Sequence, residues 1–238
     1  MTGASLAGQT VLVTGASRGI GAAVALRLAG VGARVQLLAR SADVLVEMAR
    51  ELGGSAWPAD LEDEGDLWEV LKDLTVALGG PPDLVVNAAG TFEMATMDDT
   101  SIELFDRALG TNLRGPFLVI RALLPAMLKR GSGSIVTVGS VAGHQPFPGN
   151  ASYSASKFGV RGMHEVLSEE LRGTGVRATL VEPGATDTSI WDAYGPDERA
   201  DLPSRAAMLS VDDVTEAVLF AATRPAGVRI PLLRIEKG

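Results

Sequence analysis

Short runs of apolar and mostly β-branched residues alternate along this chain with longer segments in which apolar residues recur every three or four positions. The short runs predict buried strands, and the longer segments predict helices with one apolar face. The predicted strands are residues 10–14, 34–38, 54–57, 83–87, 133–138, 176–182 and 228–233. The predicted helices lie near residues 19–30, 42–52, 62–78, 101–130, 152–172 and 211–223.

This alternation predicts a parallel sheet that helices cover on both faces, which is a three-layer α/β sandwich. Right-handed crossovers favour a doubly wound sheet, whose ligand crevice lies at the carboxyl ends of the strands. No repeat, low-complexity tract or linker divides residues 1–238, so the sequence predicts a single domain. The least regular stretch, residues 184–210, is interpreted as a substrate lid.

The composition argues against several classes of protein and of binding site. The chain has no cysteine and only two histidines, His144 and His164, so it offers neither a disulfide nor a plausible set of metal ligands. A net charge of −8 argues against a nucleic-acid partner. No apolar stretch reaches the ~20 residues of a membrane span, and the N-terminus lacks the pattern of a signal peptide. We therefore expect a soluble cytoplasmic protein that binds neither metal nor membrane.

Tyr153 and Lys157 lie four residues apart in a predicted helix, and this spacing places their side chains next to each other. A tyrosine ordinarily has a pKa near ~10, and a nearby lysine favours the phenolate, so the phenol could exchange a proton near neutrality. Carbonyl and alcohol chemistry needs such a group. The alternative is a pair of neighbours on a helix surface with no chemical role.

A glycine-rich turn at residues 14–21 joins the first predicted strand to the first predicted helix. Its glycines permit a positive φ and a close approach of the backbone, and the start of the helix attracts an anion such as a dinucleotide pyrophosphate. The spacing G-x-x-x-G-x-G differs from the commoner G-x-G-x-x-G fingerprint, and a turn needed only for tight packing is the alternative. The residues assigned to cofactor binding here are Gly15, Ser17, Arg18, Gly19, Ile20 and Gly21.

Six motifs together resemble the short-chain dehydrogenase/reductase family over nearly the whole chain. They are the turn at residues 14–21, the run at residues 87–90, Asn112, Ser140, Tyr153 with Lys157, and Pro183 with Gly184. The resemblance implies a Rossmann fold with seven parallel strands and a dinucleotide-dependent oxidoreductase that forms homodimers or homotetramers. It also implies further cofactor contacts from Asp60, Leu61, Asn87, Ala88, Gly90, Pro183, Gly184 and either Thr186 or Thr188. For Asp60, a helix N-cap is an equally good and compatible interpretation.

Two arginines favour NADP(H) over NAD(H) as the cofactor. NAD-preferring folds carry an acidic residue at the end of the second strand, where this chain has Ala39. Arg40 follows it, and Arg18 lies in the glycine-rich turn, so two guanidiniums could hold a 2′-phosphate. The alternative is that Arg40 is a solvated residue at a helix start and Arg18 a salt-bridge partner.

The hypothesis for catalysis uses Asn112, Ser140, Tyr153 and Lys157. Tyr153 would give a proton to the carbonyl oxygen, Lys157 would lower the pKa of the phenol and hold the nicotinamide ribose, and Ser140 would bind the substrate oxygen. Ser140 could instead be an ordinary turn serine. The resemblance implies that Asn112 holds a helix kink and a relay water near Lys157, and a purely structural asparagine is the alternative.

The predicted substrate is a small ketone, aldehyde or alcohol, lying between residues 144–147 and the lid. His144 and Gln145 could steer a polar substituent, and Trp191, Tyr194, Leu202 and Met208 offer apolar walls. A 3-oxoacyl-carrier-protein reductase is an alternative, although the C-terminus departs from that branch and lacks a clear basic patch for an acidic carrier. A non-catalytic dinucleotide sensor is the alternative from another class.

Overall fold

The computed structural model describes residues 5–238. In this part of the chain, one or two α-helices lie between each pair of successive strands, which gives seven strands and seven α-helices. The strands are β1 (Thr10–Thr14), β2 (Arg34–Ala39), β3 (Ser55–Pro58), β4 (Leu84–Asn87), β5 (Gly133–Val138), β6 (Val176–Pro183) and β7 (Leu232–Ile235). The helices are α1 (Gly19–Gly30), α2 (Ala42–Leu52), α3 (Glu64–Leu78), α4 (Ile102–Leu109), α5 (Gly115–Arg130), α6 (Ala151–Glu170) and α7 (Val211–Ala222).

All seven strands form one parallel sheet in the order β3-β2-β1-β4-β5-β6-β7. β1 pairs with β2 on one side and with β4 on the other, so the chain changes its direction of winding between these neighbours. A doubly wound sheet opens a crevice at the carboxyl ends of its strands at this point. The predicted fold class and the seven-stranded Rossmann arrangement are therefore confirmed.

Two apolar cores, one on each face of the sheet, hold the layers together. On one face, helix residues such as Leu28, Leu45 and Val218 pack against alternate strand residues. On the other face, Leu71 and Leu123 are among the helix residues that pack against the intervening strand positions. Because successive side chains of a strand point to opposite faces, a continuous apolar run supplies both cores.

Helix boundaries follow local signals in the sequence. Asp63 and Ser101 accept hydrogen bonds from the backbone of the first turns of α3 and α4. Gly79 and Gly131 end α3 and α5 with φ of 69° and 71°, in the left-handed region that glycine occupies without strain. Within residues 5–238, no helix is both long enough and apolar enough to span a bilayer.

Two predicted elements differ from the structure. The single helix predicted at residues 101–130 is divided into α4 and α5 by a π-helical turn, Gly110–Arg114. Pro116 lies in the first turn of α5, where its missing N–H costs no helical hydrogen bond, so the irregular turn precedes the proline. The last strand was predicted at residues 228–233 but spans Leu232–Ile235, because its pairing with β6 begins after Pro231.

The segment interpreted as a lid, residues 184–210, contains three short 3₁₀ turns, Ser189–Tyr194, Pro196–Glu198 and Arg205–Ala207. Its two ends lie side by side, since the amide of Leu209 donates to the carbonyl of Ala185 at 2.8 Å and the amide of Asp187 donates to the carbonyl of Leu209 at 2.9 Å. The lid therefore leaves the sheet and returns to it at one place.

Candidate active site

A cavity of about 690 Å³ lies at the carboxyl ends of the strands, where the crevice of a doubly wound sheet is expected. Most of the residues assigned to the site from the sequence line it. They are Gly15, Ser17, Arg18, Gly19, Ile20, Arg40, Asp60, Leu61, Ala88, Gly90, Ser140, Tyr153, Lys157, Pro183, Gly184, Thr186, Thr188 and Trp191. Gly21, Asn87, Asn112, His144 and Gln145 are not among the lining residues.

The glycine-rich turn has the backbone geometry that the sequence predicts. Gly15 and Gly19 have φ of 67° and 56°. A Cβ on Gly15 would lie 2.6 Å from the Cα of Ala89, and one on Gly21 would lie 2.2 Å from the carbonyl oxygen of Gly15. Gly21 therefore serves packing, whereas the first two glycines shape the turn. No side chain caps the N-terminus of α1, which leaves its first N–H groups available to an anion.

Arg18 and Arg40 both line the end of the cavity next to β2. Arg40 is exposed and its Nη1 lies 3.9 Å from Oδ2 of Asp60, a distance at which an exposed ion pair contributes little. Arg18 forms no salt bridge or side-chain hydrogen bond with any residue that the structure describes, so its alternative role as a salt-bridge partner has no support. Both guanidiniums remain free to hold a phosphate.

The side chains of Tyr153 and Ser140 lie side by side at the wall of the same cavity. Burial raises the pKa of Tyr153, and the contact with Ser140 opposes this effect. Ser140 also accepts a hydrogen bond at 3.1 Å from the amide of Ala142, so the turn-forming role and the contact with Tyr153 coexist.

Lys157 is buried beside Tyr153, with its Nζ 5.6 Å from the centre of the phenol ring. The Nζ donates to the carbonyl of Val138 at 3.1 Å, and burial lowers the pKa of the ammonium to about 8. The two side chains are adjacent, as the helical spacing predicts. Burial and Ser140 account for the pKa shift of Tyr153, and its acidification by Lys157 stays a prediction.

Asn112 connects three parts of the site from the π-helical turn. Its Oδ1 accepts from the amide of Thr91 at 2.8 Å, and its Nδ2 donates to the carbonyl of Thr91 at 2.9 Å and to the hydroxyl of Ser156 at 3.0 Å. Ser156 in turn donates to the carbonyl of Tyr153. Asn112 thus fixes the loop after β4 to the helix that carries Tyr153 and Lys157.

The remaining residues assigned to the cofactor lie at strand ends. Asn87 is buried, its Nδ2 donates to the hydroxyl of Thr137 at 3.4 Å, and its Oδ1 has no partner among the described residues. Thr186 donates to the carbonyl of Gly184 at 3.0 Å, and Thr188 accepts from the amide of Ile190 at 3.4 Å. Both threonines line the cavity, so their position alone does not separate their roles.

An aromatic cluster closes the cavity next to Tyr153. The ring of Phe92 meets the ring of Tyr153 edge-on at 4.9 Å and lies 5.1 Å from the ring of Trp191 and 5.6 Å from that of Tyr194. The hydroxyl of Tyr194 accepts from the amide of Met94 at 3.0 Å, which joins the lid to the loop after β4. Sequence reasoning missed Phe92 and Met94, whose only signal was two apolar residues in a loop that follows a strand end.

Three residues proposed for the substrate end lie elsewhere. Gln145 is exposed, and Met208, near the end of residues 184–210, is buried without lining the cavity. His144 turns away from the cavity, with its Nδ1 3.4 Å from Oε2 of Glu182. Glu182 is fully buried, and its carboxylate also accepts a hydrogen bond from Arg234 at 3.1 Å. This buried carboxylate lies behind the turn that carries Ser140, and the sequence does not predict it.

Comparison with known proteins indicates one family for nearly the whole chain. The sequence matches the family described as short chain dehydrogenase over residues 9–199. An uncharacterized oxidoreductase of Staphylococcus aureus (strain MW2) is 32% identical over 228 residues, which make up 94% of this chain and 95% of that protein. The similarity therefore extends over nearly the full length of both chains.

Two solved structures have the same overall fold as this protein. A metagenomic short-chain oxidoreductase in complex with NADP is 33% identical, with a TM-score of 0.81 over 97% of this chain and 98% of that chain. A protein named as ribose-5-phosphate isomerase from Brucella melitensis 16M is 28% identical, with a TM-score of 0.90 over 99% of this chain and 93% of that chain.

Proposed function

Because this chain belongs to the short-chain dehydrogenase/reductase family of oxidoreductases, we propose that it interconverts a carbonyl compound and an alcohol with NADP(H) as cofactor. One observation carries the proposal. The hydroxyls of Tyr153 and Ser140 meet at the wall of the cavity whose other end is the glycine-rich turn. A proton donor and a dinucleotide cradle in one cleft are what carbonyl reduction requires.

The cavity fits a phosphorylated dinucleotide. The uncapped start of α1 offers N–H groups to a pyrophosphate, and the glycines of the turn, with positive φ at Gly15 and Gly19, let its backbone come close to a ligand. Arg18 and Arg40 would hold a 2′-phosphate where Ala39 replaces the acid of NAD-preferring folds. When bound, the cofactor supplies the hydride.

The residues of the chain handle the proton and the developing charge. Tyr153 gives its proton to the substrate oxygen during reduction and takes it back during oxidation. Ser140 donates a hydrogen bond to the same oxygen and stabilises the charge that develops there. Lys157, held by the carbonyl of Val138, provides a nearby positive charge, and Asn112 positions the helix that carries both residues.

The cofactor assignment is tested by comparing kcat/KM for NADPH and NADH with a panel of ketones and aldehydes. We expect NADPH to be preferred, and Arg40→Ala to lower kcat/KM for NADPH by about tenfold or more while changing that for NADH by less than about twofold. Arg50→Ala is the matched control, because Arg50 is exposed on α2 and does not line the cavity. A preference for NADH that Arg40→Ala leaves unchanged would overturn the assignment.

A redox sensor without turnover is the second candidate, since a dinucleotide-binding fold can act by binding alone. The contact between Tyr153 and Ser140 favours chemistry, because a sensor needs no proton donor at the substrate wall. Cofactor binding without any loss of NADPH absorbance across the panel would favour the sensor.

A further inference from the structure

The substrate end of the cavity, next to Tyr153, is lined mainly by apolar side chains. Phe92 and Trp191 form its aromatic wall, and Phe147, Ile190 and Leu202 add further apolar surface. Trp191 is held in place by a hydrogen bond of 3.1 Å from its indole N–H to the carbonyl of Thr186. A rigid aromatic wall favours substrates that carry an aromatic or bulky apolar group.

The charged side chains that line the cavity lie away from this wall or are already paired. Arg18 and Arg40 belong to the end beside β2, and the Nζ of Lys157 bonds to the backbone behind Tyr153. Asp201 reaches the cavity from the lid, but its carboxylate is paired with Arg199 at 2.5 Å. Among the residues that the structure describes in the cavity lining, Lys157 is thus the cation nearest the substrate end, and its Nζ lies behind Tyr153 and not at the aromatic wall.

Because no cationic side chain of the described cavity lining belongs to the aromatic wall, the charge of a substrate's side group should affect its binding. An ionised carboxylate or phosphate that enters an apolar pocket loses its hydration and needs a paired positive charge to compensate. A neutral ester of the same skeleton has no such requirement and gains from contact with the aromatic wall. The pocket therefore selects against anionic carbonyl compounds.

We propose that the substrates are uncharged ketones or aldehydes with an aromatic or bulky apolar group next to the carbonyl carbon, a conclusion that rests on the proposed reductase activity. In the reaction, the carbonyl compound takes up a hydride from NADPH at carbon and a proton from Tyr153 at oxygen. The products are the alcohol and NADP⁺, and solvent returns the proton to Tyr153.

Three probes with related skeletons test charge and size separately. Ethyl benzoylformate is neutral and aromatic, benzoylformate is its anionic acid, and ethyl pyruvate is a neutral ester with a methyl group in place of the ring. With NADPH, we expect kcat/KM for ethyl benzoylformate to exceed that for benzoylformate by at least about 100-fold and that for ethyl pyruvate by at least about tenfold.

Variants of Trp191 test whether the preference for ethyl benzoylformate over ethyl pyruvate depends on the aromatic wall. Trp191→Ala should reduce the advantage of ethyl benzoylformate over ethyl pyruvate to less than about threefold, and Trp191→Phe, which keeps a ring, should retain most of it. Trp68→Ala is the matched control, because Trp68 lies on the outer face of α3, exposed and outside the cavity. This control should keep the preference of the unaltered protein.

Failures of the two proposals are distinguishable. Turnover of benzoylformate or ethyl pyruvate at least as fast as ethyl benzoylformate overturns the substrate class but leaves the reductase activity standing. An unchanged preference in Trp191→Ala overturns the role of the wall. If none of the three probes oxidises NADPH, and the wider panel of ketones and aldehydes also fails, both proposals fall.

Discussion

Tyr153 and Tyr194 are the only two tyrosines of the chain, and they offer a matched pair of substitutions. Tyr153→Phe removes the hydroxyl that meets Ser140, so we expect turnover with NADPH to fall by about 100-fold or more, the usual range for the loss of a general acid. The dissociation constant of NADPH, measured by fluorescence titration, should change by less than about twofold.

Tyr194→Phe is the control for this prediction. It keeps the ring beside Phe92 and loses only the acceptor for the amide of Met94, so it should lower turnover by less than about tenfold. Equal losses in the two variants would contradict the assignment of Tyr153 as the proton donor.

The pair Tyr153 and Lys157 also shows what spacing in a sequence can and cannot predict. Four residues in a helix place two side chains side by side, and this part of the prediction is confirmed. The pKa values of both groups depend on burial, and that of Tyr153 also on Ser140, which lies after β5. The Nζ of Lys157 donates to the carbonyl of Val138, another partner from a distant segment. Those partners come together only in the folded protein.

Arg205 links two parts of residues 184–210, since it pairs with Asp187 and, at 2.6 Å, with Asp192. Arg205→Ala should loosen the lid without affecting the sheet, because these partners all lie within residues 184–210. We expect chymotrypsin to cleave after Trp191 or Tyr194 at least about threefold faster, since proteolysis follows local opening. The rate of appearance of the fragments, followed by mass spectrometry, measures this.

Arg199→Ala is the control within the same loop. Arg199 pairs with Asp201, two residues away, and both side chains are largely exposed, so their pairing restrains the lid little. Its cleavage rate should stay within about twofold of that of the unaltered protein. Faster cleavage in both variants would point to a general effect of charge on the protease.

Among the elements, the strands and most helices could be predicted because their signals are local. Apolar runs, N-cap residues such as Ser101 and terminal glycines such as Gly131 are read directly from the sequence. The division of the helix at residues 101–130 could not be predicted in this way. Its π-helical turn brings Asn112 to Thr91, and only tertiary hydrogen bonds mark that position.

Across the whole molecule, His164 should make stability depend on pH. It is buried in α6 with neither ring nitrogen hydrogen-bonded within the described part of the chain, and burial lowers its pKa from 6.5 to about 4. Between these values the unfolded chain binds a proton that the folded protein does not. Stability is therefore lost as the pH falls through this window, by about 2 kcal/mol between about pH 7.5 and about pH 5.

His164→Leu should remove this contribution. Urea denaturation at the two pH values should show a smaller loss in the free energy of unfolding for the variant, by about 2 kcal/mol. The same pH dependence in both proteins would mean that His164 has another way to accommodate a proton.

The paired ends of the lid have a practical consequence. Since Ala185 and Asp187 both hydrogen-bond to Leu209, the loop begins and finishes at neighbouring points of the scaffold, and closing a longer loop between fixed ends costs little additional entropy. We therefore expect the protein to fold with loops of other lengths inserted between these two hydrogen-bonded ends. Recombination confined to residues 189–208, which follow the cofactor residues Gly184, Thr186 and Thr188, would change the range of compounds accepted without altering those cofactor contacts.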